Sequence, residues 1–232
     1  MSARRALLKL SGESVGDGSS SISESSLLRA ASEIKSAVVC SKVQLAVVIG
    51  AGNIWRGAGK FIERVTADKM GMLATVINSL ALNGALTKMG VKSSVFSAEG
   101  VSDFVEDFKK EKVIDSIEQG NIVIFAGGTG KPFCTTDTAA ALRAVEIKAD
   151  MLLKATQVDG VYSADPKKNK DAMKFTSLTF KEALDRRLEI MDAEVFSLCM
   201  RANISINVFD FYRDGNLGKV LNGEEIGTIV EV

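Results

Sequence analysis

The chain has 232 residues, 46% of them hydrophobic, and balances 29 Lys and Arg against 29 Asp and Glu. That length fits one α/β domain or two small lobes sharing a sheet, and zero net charge excludes a general nucleic-acid or membrane-surface binder while allowing a local basic pocket. The absence of histidine excludes His-containing zinc sites and Ser-His or Cys-His hydrolases, and three widely spaced cysteines read as reduced thiols of a cytoplasmic protein.

Residues 1–10 carry two arginines and an apolar run too short for a signal-peptide core. No apolar run of membrane-span length is expected further along. Ala6 to Leu10 reads as a strand, and Gly12 to Ser23 as a polar loop. Ser25 or Ser26 is expected to cap a helix running to about Cys40, with Leu27, Leu28, Ala31, Ile34 and Val38 on one face. Val43 to Ile49 is apolar but for Gln44, and reads as a strand buried on both faces. Asp68 to Met89 is a long helical pattern stopped by Gly90. Val91 to Phe96 is a strand, Val113 to Gln119 a helix, and Ile122 to Ala126 a fully apolar strand. Thr136 to Ala149 reads as a helix capped by Thr136 or Asp137, followed by a strand at Met151 to Ala155. Two helices, Phe180 to Arg187 and Ala193 to Ala202, precede a strand at Ile204 to Phe209. A short helix and a strand at Thr228 to Val232 close the chain. Alternating strands and helices predict an α/β fold with a mostly parallel central sheet between helices.

Three glycine-bearing segments follow three of these strands: Lys9 to Glu13, Gly50 to Gly57, and Gly127 to Lys131. Ligands of open α/β sheets bind at the carboxyl ends of strands, where glycine lets backbone N–H groups approach a phosphate. A dinucleotide fingerprint from Gly50 fails at Trp55, and a Walker A loop ending at Lys131 fails at Phe125 and Pro132. Any one of these loops alone is equally a tight turn. Three together, with Lys9, Arg56 and Lys131 beside them, favour phosphate binding.

The segment Lys154-Ala155-Thr156-Gln157-Val158-Asp159-Gly160-Val161-Tyr162-Ser163-Ala164-Asp165-Pro166 closely resembles the nucleotide-binding stretch of the amino acid kinase family, and within it of the bacterial UMP-phosphorylating enzymes. Leu8 to Glu13, Val47 to Asn53 with Arg56-Gly57-Ala58-Gly59, Asp68 to Thr75 and Thr129 to Asp137 fit the same pattern, in the same order, over nearly the whole chain. The resemblance implies one amino acid kinase domain, residues 1–150 mainly holding the acceptor and 151–232 mainly ATP. It implies transfer of the γ-phosphate of ATP, with Mg2+, to UMP. Lys9, Arg56 and Asp137 would be catalytic. Lys9, Leu10, Ser11, Gly12, Gly52, Arg56, Thr156, Tyr162 and Asp165 would hold ATP. Ala51, Asp68, Thr129, Gly130, Lys131, Pro132, Phe133, Cys134, Thr135 and Thr136 would hold UMP, with Asp68 at the ribose. Hexamers and inhibition by UTP are further family expectations, with no membrane or nucleic-acid partner.

Several readings of single residues stay open. Asp137 either orients Lys9 or a magnesium-bound water, or is a plain N-cap. Lys154 either touches phosphate or is a solvated strand-end lysine. Tyr162 either stacks near adenine or packs. Asp192 reads as a helix cap, and Lys167, Lys168 and Lys170 as a solvated loop. Ala51, Lys69 and Cys134 depart from the family pattern. The serine-rich segment 14–23 argues against activation by GTP. Rival readings are another acceptor within the family and a non-catalytic nucleotide sensor; a DNA-associated regulator is weakened by the zero net charge.

Overall fold

The computed structural model describes residues 4–57, 61–101, 103–166, 168–188 and 190–232; the readings at Ala58, Gly59 and Lys167 fall outside them. In chain order the elements are β1 (Arg5–Leu10), α1 (Glu24–Cys40), β2 (Gln44–Ile49), α2 (Arg64–Lys88), β3 (Ser93–Ser97), β4 (Glu106–Asp107), α3 (Lys110–Glu118), β5 (Ile122–Ala126), α4 (Thr136–Glu146), β6 (Met151–Thr156), β7 (Ser177–Thr179), α5 (Phe180–Asp185), α6 (Ala193–Ala202), β8 (Ser205–Asp210), α7 (Asn216–Leu221) and β9 (Thr228–Glu231). A one-turn 3-10 helix, Gly12–Ser14, interrupts the predicted loop.

Among the described residues nine strands form one sheet in the order β4-β3-β5-β2-β1-β6-β8-β9-β7, parallel except where β9 meets β8. The continuous apolar runs are its middle strands, covered on both faces as their composition requires. Alternate residues of β1 divide between two cores. Ala6, Leu8 and Leu10 face α1, α2 and α7, while Leu7 faces the side of α3 to α6. The register sets Lys9 opposite Val48 on one side and Lys154 on the other. Two lysines therefore project from neighbouring strands, at strand spacing, on the face that α4 covers.

Helix ends differ from the sequence expectation. Ser23, rather than Ser25 or Ser26, takes the N-cap position of α1. α2 begins four residues before Asp68, because the Glu63 carboxylate accepts hydrogen bonds from Val65 N and Thr66 N, each 3.1 Å. α4 is capped by Thr135, whose hydroxyl accepts from Thr138 N, and not by Thr136 or Asp137. It ends at Glu146, with Lys148 left-handed. Asp192 occupies the N-cap position of α6, but its carboxylate makes no bond to that helix and accepts one from the Thr135 hydroxyl instead. The expectation of no span-length apolar segment is also corrected. α2 is long and apolar enough to cross a bilayer, although here Val76, Leu82, Ala85 and Leu86 pack into the core beneath it.

Candidate active site

Side-by-side ammonium groups on β1 and β6 need an anion between them, and α4 supplies it. Asp137, in the first turn of α4, ion-pairs with Lys9 at 2.7 Å and with Lys154 at 2.9 Å. All three side chains are largely buried, 14%, 14% and 18% exposed for Lys9, Asp137 and Lys154. Burial alone would raise the Asp137 pKa; the charges of Lys9 and Lys154 and their hydrogen bonds outweigh it and hold the carboxyl below its usual range. Lys154 also donates to the Ile190 carbonyl, so it is no solvated strand-end lysine.

Two clefts flank this group, one reaching Thr136, the neighbour of Asp137, and the other reaching Lys154. One, of about 290 Å³, lies between the turn after β2, the start of α2 and the loop before α4. Ala51, Gly52, Asp68, Thr129, Lys131, Cys134, Thr135 and Thr136 line it. The other, of about 500 Å³, starts at Lys154 and runs between Thr156 to Pro166 on one side and Arg186, Arg187, Leu188 and Ile190 on the other. Thr156, Tyr162 and Asp165 are on its walls.

The turn after β2 is held rigidly from behind. Asn78, fully buried on α2, donates to the Gly50 carbonyl at 2.7 Å and exchanges hydrogen bonds with the Asn53 amide at 2.8 and 3.0 Å. Gly12 packs so closely here that a Cβ would lie 2.2 Å from Asn53 Oδ1 and 2.7 Å from the Gly50 carbonyl oxygen. Only glycine fits where the first two loops cross. Ala51 is not among the residues with positive φ, so its methyl carries no left-handed strain. Leu10 is buried with its carbonyl accepting from Gly50 N at 2.9 Å, and the Ser11 hydroxyl caps the turn at Glu13 N while its carbonyl accepts from Ser14 N at 3.0 Å.

The loop before α4 is tied down at both ends. Thr75 on α2 accepts from Gly127 N at 2.9 Å, and Thr129 closes the loop onto Lys131 N and O. Asp68 takes both oxygens to Arg64 Nε at 2.8 Å and accepts from Phe133 N at 2.8 Å. Its burial raises the pKa, but the Phe133 N–H and Arg64 bring it below the usual range. Phe133 is exposed at φ 64 beneath the Arg64 guanidinium; Gly130, Pro132 and Phe133 share the loop without lining the cleft.

Arg56 is placed apart from Lys9 and Asp137. Its guanidinium is 69% exposed, pairs with Glu13, and donates from Nε to the Gly52 carbonyl at 2.9 Å. It opens onto a third cavity, beside residues 16–21. The Thr156 hydroxyl donates to the Val158 and Phe209 carbonyls, and Tyr162 donates to Asp159 at 2.7 Å. No cluster of three or more His, Cys, Asp or Glu suited to a metal occurs among the described residues.

Sequence reasoning did not single out Asn78, Thr75 or Arg143, which is buried on α4 against Phe108 with its guanidinium 4.0 Å from that ring. Asn78 carried a signal: a polar residue at a core position of an apolar helical pattern. So did Lys154, since Leu152-Leu153-Lys154 repeats Leu7-Leu8-Lys9 on the adjacent strand.

The sequence profile of the amino acid kinase family matches residues 4–210. The chain belongs to the amino acid kinase family. Among curated relatives of this amino acid kinase, uridylate kinase of Xanthomonas oryzae pv. oryzae is 49% identical over all of this chain and 98% of its own. The uridylate kinase of Bacteroides thetaiotaomicron is 50% identical over 98% of both. Among solved structures, UMP kinase from Bacillus anthracis superposes with a TM-score of 0.95 at 35% identity, covering 100% of this chain and 97% of its own. Uridylate kinase from Archaeoglobus fulgidus gives 0.73 at 27%, covering 97% and 99%.

Proposed function

We propose that this amino acid kinase transfers the γ-phosphate of magnesium-bound ATP to UMP, giving ADP and UDP in pyrimidine nucleotide biosynthesis. The observation that carries the reading is the Lys9–Asp137–Lys154 group, flanked by one cleft that reaches Thr136 and another that reaches Lys154. Full-length identity near one half to uridylate kinases supports the choice of acceptor.

The roles follow from the charges. The smaller cleft takes UMP, with Asp68 at the ribose and the loop from Thr129 to Thr136 around phosphate and base. The larger takes ATP, with Thr156, Tyr162 and Asp165 at the adenosine end and residues 9–12 and Gly52 at the phosphates. The acceptor lobe, residues 1–150, thus faces the ATP lobe, residues 151–232. A UMP phosphate oxygen is anionic near neutral pH and needs no base. It attacks the γ-phosphorus while the bond to the β,γ-bridging oxygen breaks, and ADP leaves. The barrier lies in bringing two anions together, which Lys9 and Lys154 offset from fixed positions. Asp137 holds both ammonium groups charged and aimed. Arg56 joins them after exchanging Glu13 for phosphate. The N-terminus of α4 adds its dipole on the acceptor side. With Asp137 already spanned by two lysines, magnesium would be held mainly by the ATP phosphates, where it would offset their charge.

Three further parts of the reading have separate support. A homo-oligomer, a hexamer by resemblance, is supported by Leu73, Ile77 and Leu80, which form an exposed apolar stripe on α2 fit to meet a second copy. Inhibition by UTP is supported by its sharing base and ribose with the acceptor. A cytoplasmic location is supported by three free thiols, one of them exposed.

The test is ADP release from magnesium-ATP with UMP, dUMP, CMP, AMP, GMP, glutamate, aspartate and carbamate as acceptors. Turnover with UMP far above the others is expected. Preference for an amino acid or carbamate keeps the fold and removes the proposed acceptor, and no turnover with any of them favours a nucleotide sensor.

A further inference from the structure

The wall of the larger cleft between α5 and α6 carries a cation without a partner. α5 ends with Arg187 N donating to the Leu184 carbonyl and Leu188 N to the Ala183 carbonyl, both 3.0 Å. This is the helix terminator that puts its penultimate residue in the left-handed region, where glycine is the default. Arg187 sits there instead, at φ 52. α4 ends in the same way at Lys148, φ 53, with bonds from Lys148 N to Val145 and Ala149 N to Ala144. Both side chains are exposed. They differ in place: Lys148 lines neither cleft, whereas Arg187 lines the larger one.

The other cations of that cleft are engaged. Lys154 is held by Asp137 and the Ile190 carbonyl, and Arg186 lies over the Phe175 ring at 5.3 Å. The Arg187 side chain has no hydrogen bond or ion pair to any described residue. The segment bearing it reaches the transfer site: Ile190, three residues on, is the carbonyl that holds Lys154. Three residues span at most about 10 Å, a gap that an arginine side chain largely covers.

We propose that Arg187 is an ATP-binding residue, its guanidinium pairing with the polyphosphate from the wall opposite Thr156 to Pro166. The proposal rests on the assignment of this cleft to ATP. It accounts for a bulky cation at a position that backbone geometry reserves for glycine.

The experiment compares three variants: Arg187→Gly, Lys148→Gly as the same backbone change away from the clefts, and Tyr162→Ala as an independent probe of the cleft. KM for ATP and for UMP, calorimetric binding of ADP and of adenosine, and Tm are measured for each. Arg187→Gly is expected to raise KM for ATP and weaken ADP binding about tenfold, the worth of one charge-assisted contact. KM for UMP and adenosine binding should stay unchanged, and Tm should hold or rise, as it should in Lys148→Gly with unaltered kinetics. An unchanged KM for ATP in Arg187→Gly, with a raised one in Tyr162→Ala, overturns the role of Arg187 alone. No change in either variant overturns the cleft assignment and the proposal with it. Equal loss of ADP and adenosine binding would put the guanidinium on the nucleoside and remove the polyphosphate contact. A lowered Tm with both KM values raised would make Arg187 structural.

Discussion

Lys9 and Lys154 stand in register on adjacent parallel strands, and the carboxylate of Asp137 keeps them there. Asp137→Asn preserves shape and removes the charge, so it leaves two buried ammonium groups facing each other. Its kcat should fall about 100-fold, the usual scale for losing a positioned electrostatic group. Unchanged turnover in a folded Asp137→Asn protein would end the catalytic role. Stability should also fall, by about 3 kcal/mol in urea denaturation, because a broken buried pair exposes the cost of the remaining charge. Adding Lys154→Met should recover part of that loss, since one of the opposed charges is then gone. The pH dependence has a definite sign. The folded pKa of Asp137 lies below 3.8, so the carboxylate stabilises the fold fully above that value and less as pH falls through the folded pKa. The stability gap between wild type and Asp137→Asn should therefore be flat from pH 7 to 5 and close only below pH 3.8. Cys199 is a contrasting case: burial pushes its thiol up to about 12, so it should resist alkylation while exposed Cys40 reacts.

Helix α4 shows what a segment contributes beyond its side chains. Its cap, Thr135, lines the smaller cleft and also donates to Asp192, two residues after Ile190 on the wall of the larger one. Thr135→Ala should cost about 1 kcal/mol of stability and raise KM for UMP. The loop before α4 depends on Gly127, at φ 73, where a Cβ would lie 2.8 Å from Ser97 Oγ. Gly127→Ala should lower stability through a strained backbone and a clash, by roughly 1–3 kcal/mol, read in urea denaturation. Elements of this kind were unevenly legible. β2 after its first residue, Gln44, and β5 throughout are apolar, a pattern that burial on both faces demands, and their strands lie where the sequence placed them. β4 and β7, of two and three residues, are too short for any periodicity to register. The start of α2 was missed because its cap is a glutamate, an uncommon choice, and lies ahead of the apolar pattern. At the site, the glycine loops were visible as loops because tight turns after strands leave a compositional mark. The Glu13–Arg56 pairing and the hold of Asn78 on Gly50 were not, since both join residues far apart in sequence through geometry that only the folded chain creates.

At the scale of the molecule, the lysines of the Lys9–Asp137–Lys154 group stand on the central strand β1 and its neighbour β6. The apolar stripe of α2 is exposed on the helix whose Met72 and Thr75 line the smaller cleft. Ile77→Lys should shift the protein to smaller species in light scattering coupled to size exclusion, with the secondary structure intact. The order of the strands also has a bearing on how the protein is made. β1 emerges first but lies in the centre, and its second neighbour, β6, begins about 145 residues later. At ribosomal speeds of about 5–20 residues per second, β1 waits some 7–30 s for that partner. During that interval β2, β5 and β3 can assemble on one side, leaving the other edge of β1 bare and apolar. Nascent chains stalled before residue 151 should therefore be the form most prone to aggregate and most in need of a chaperone.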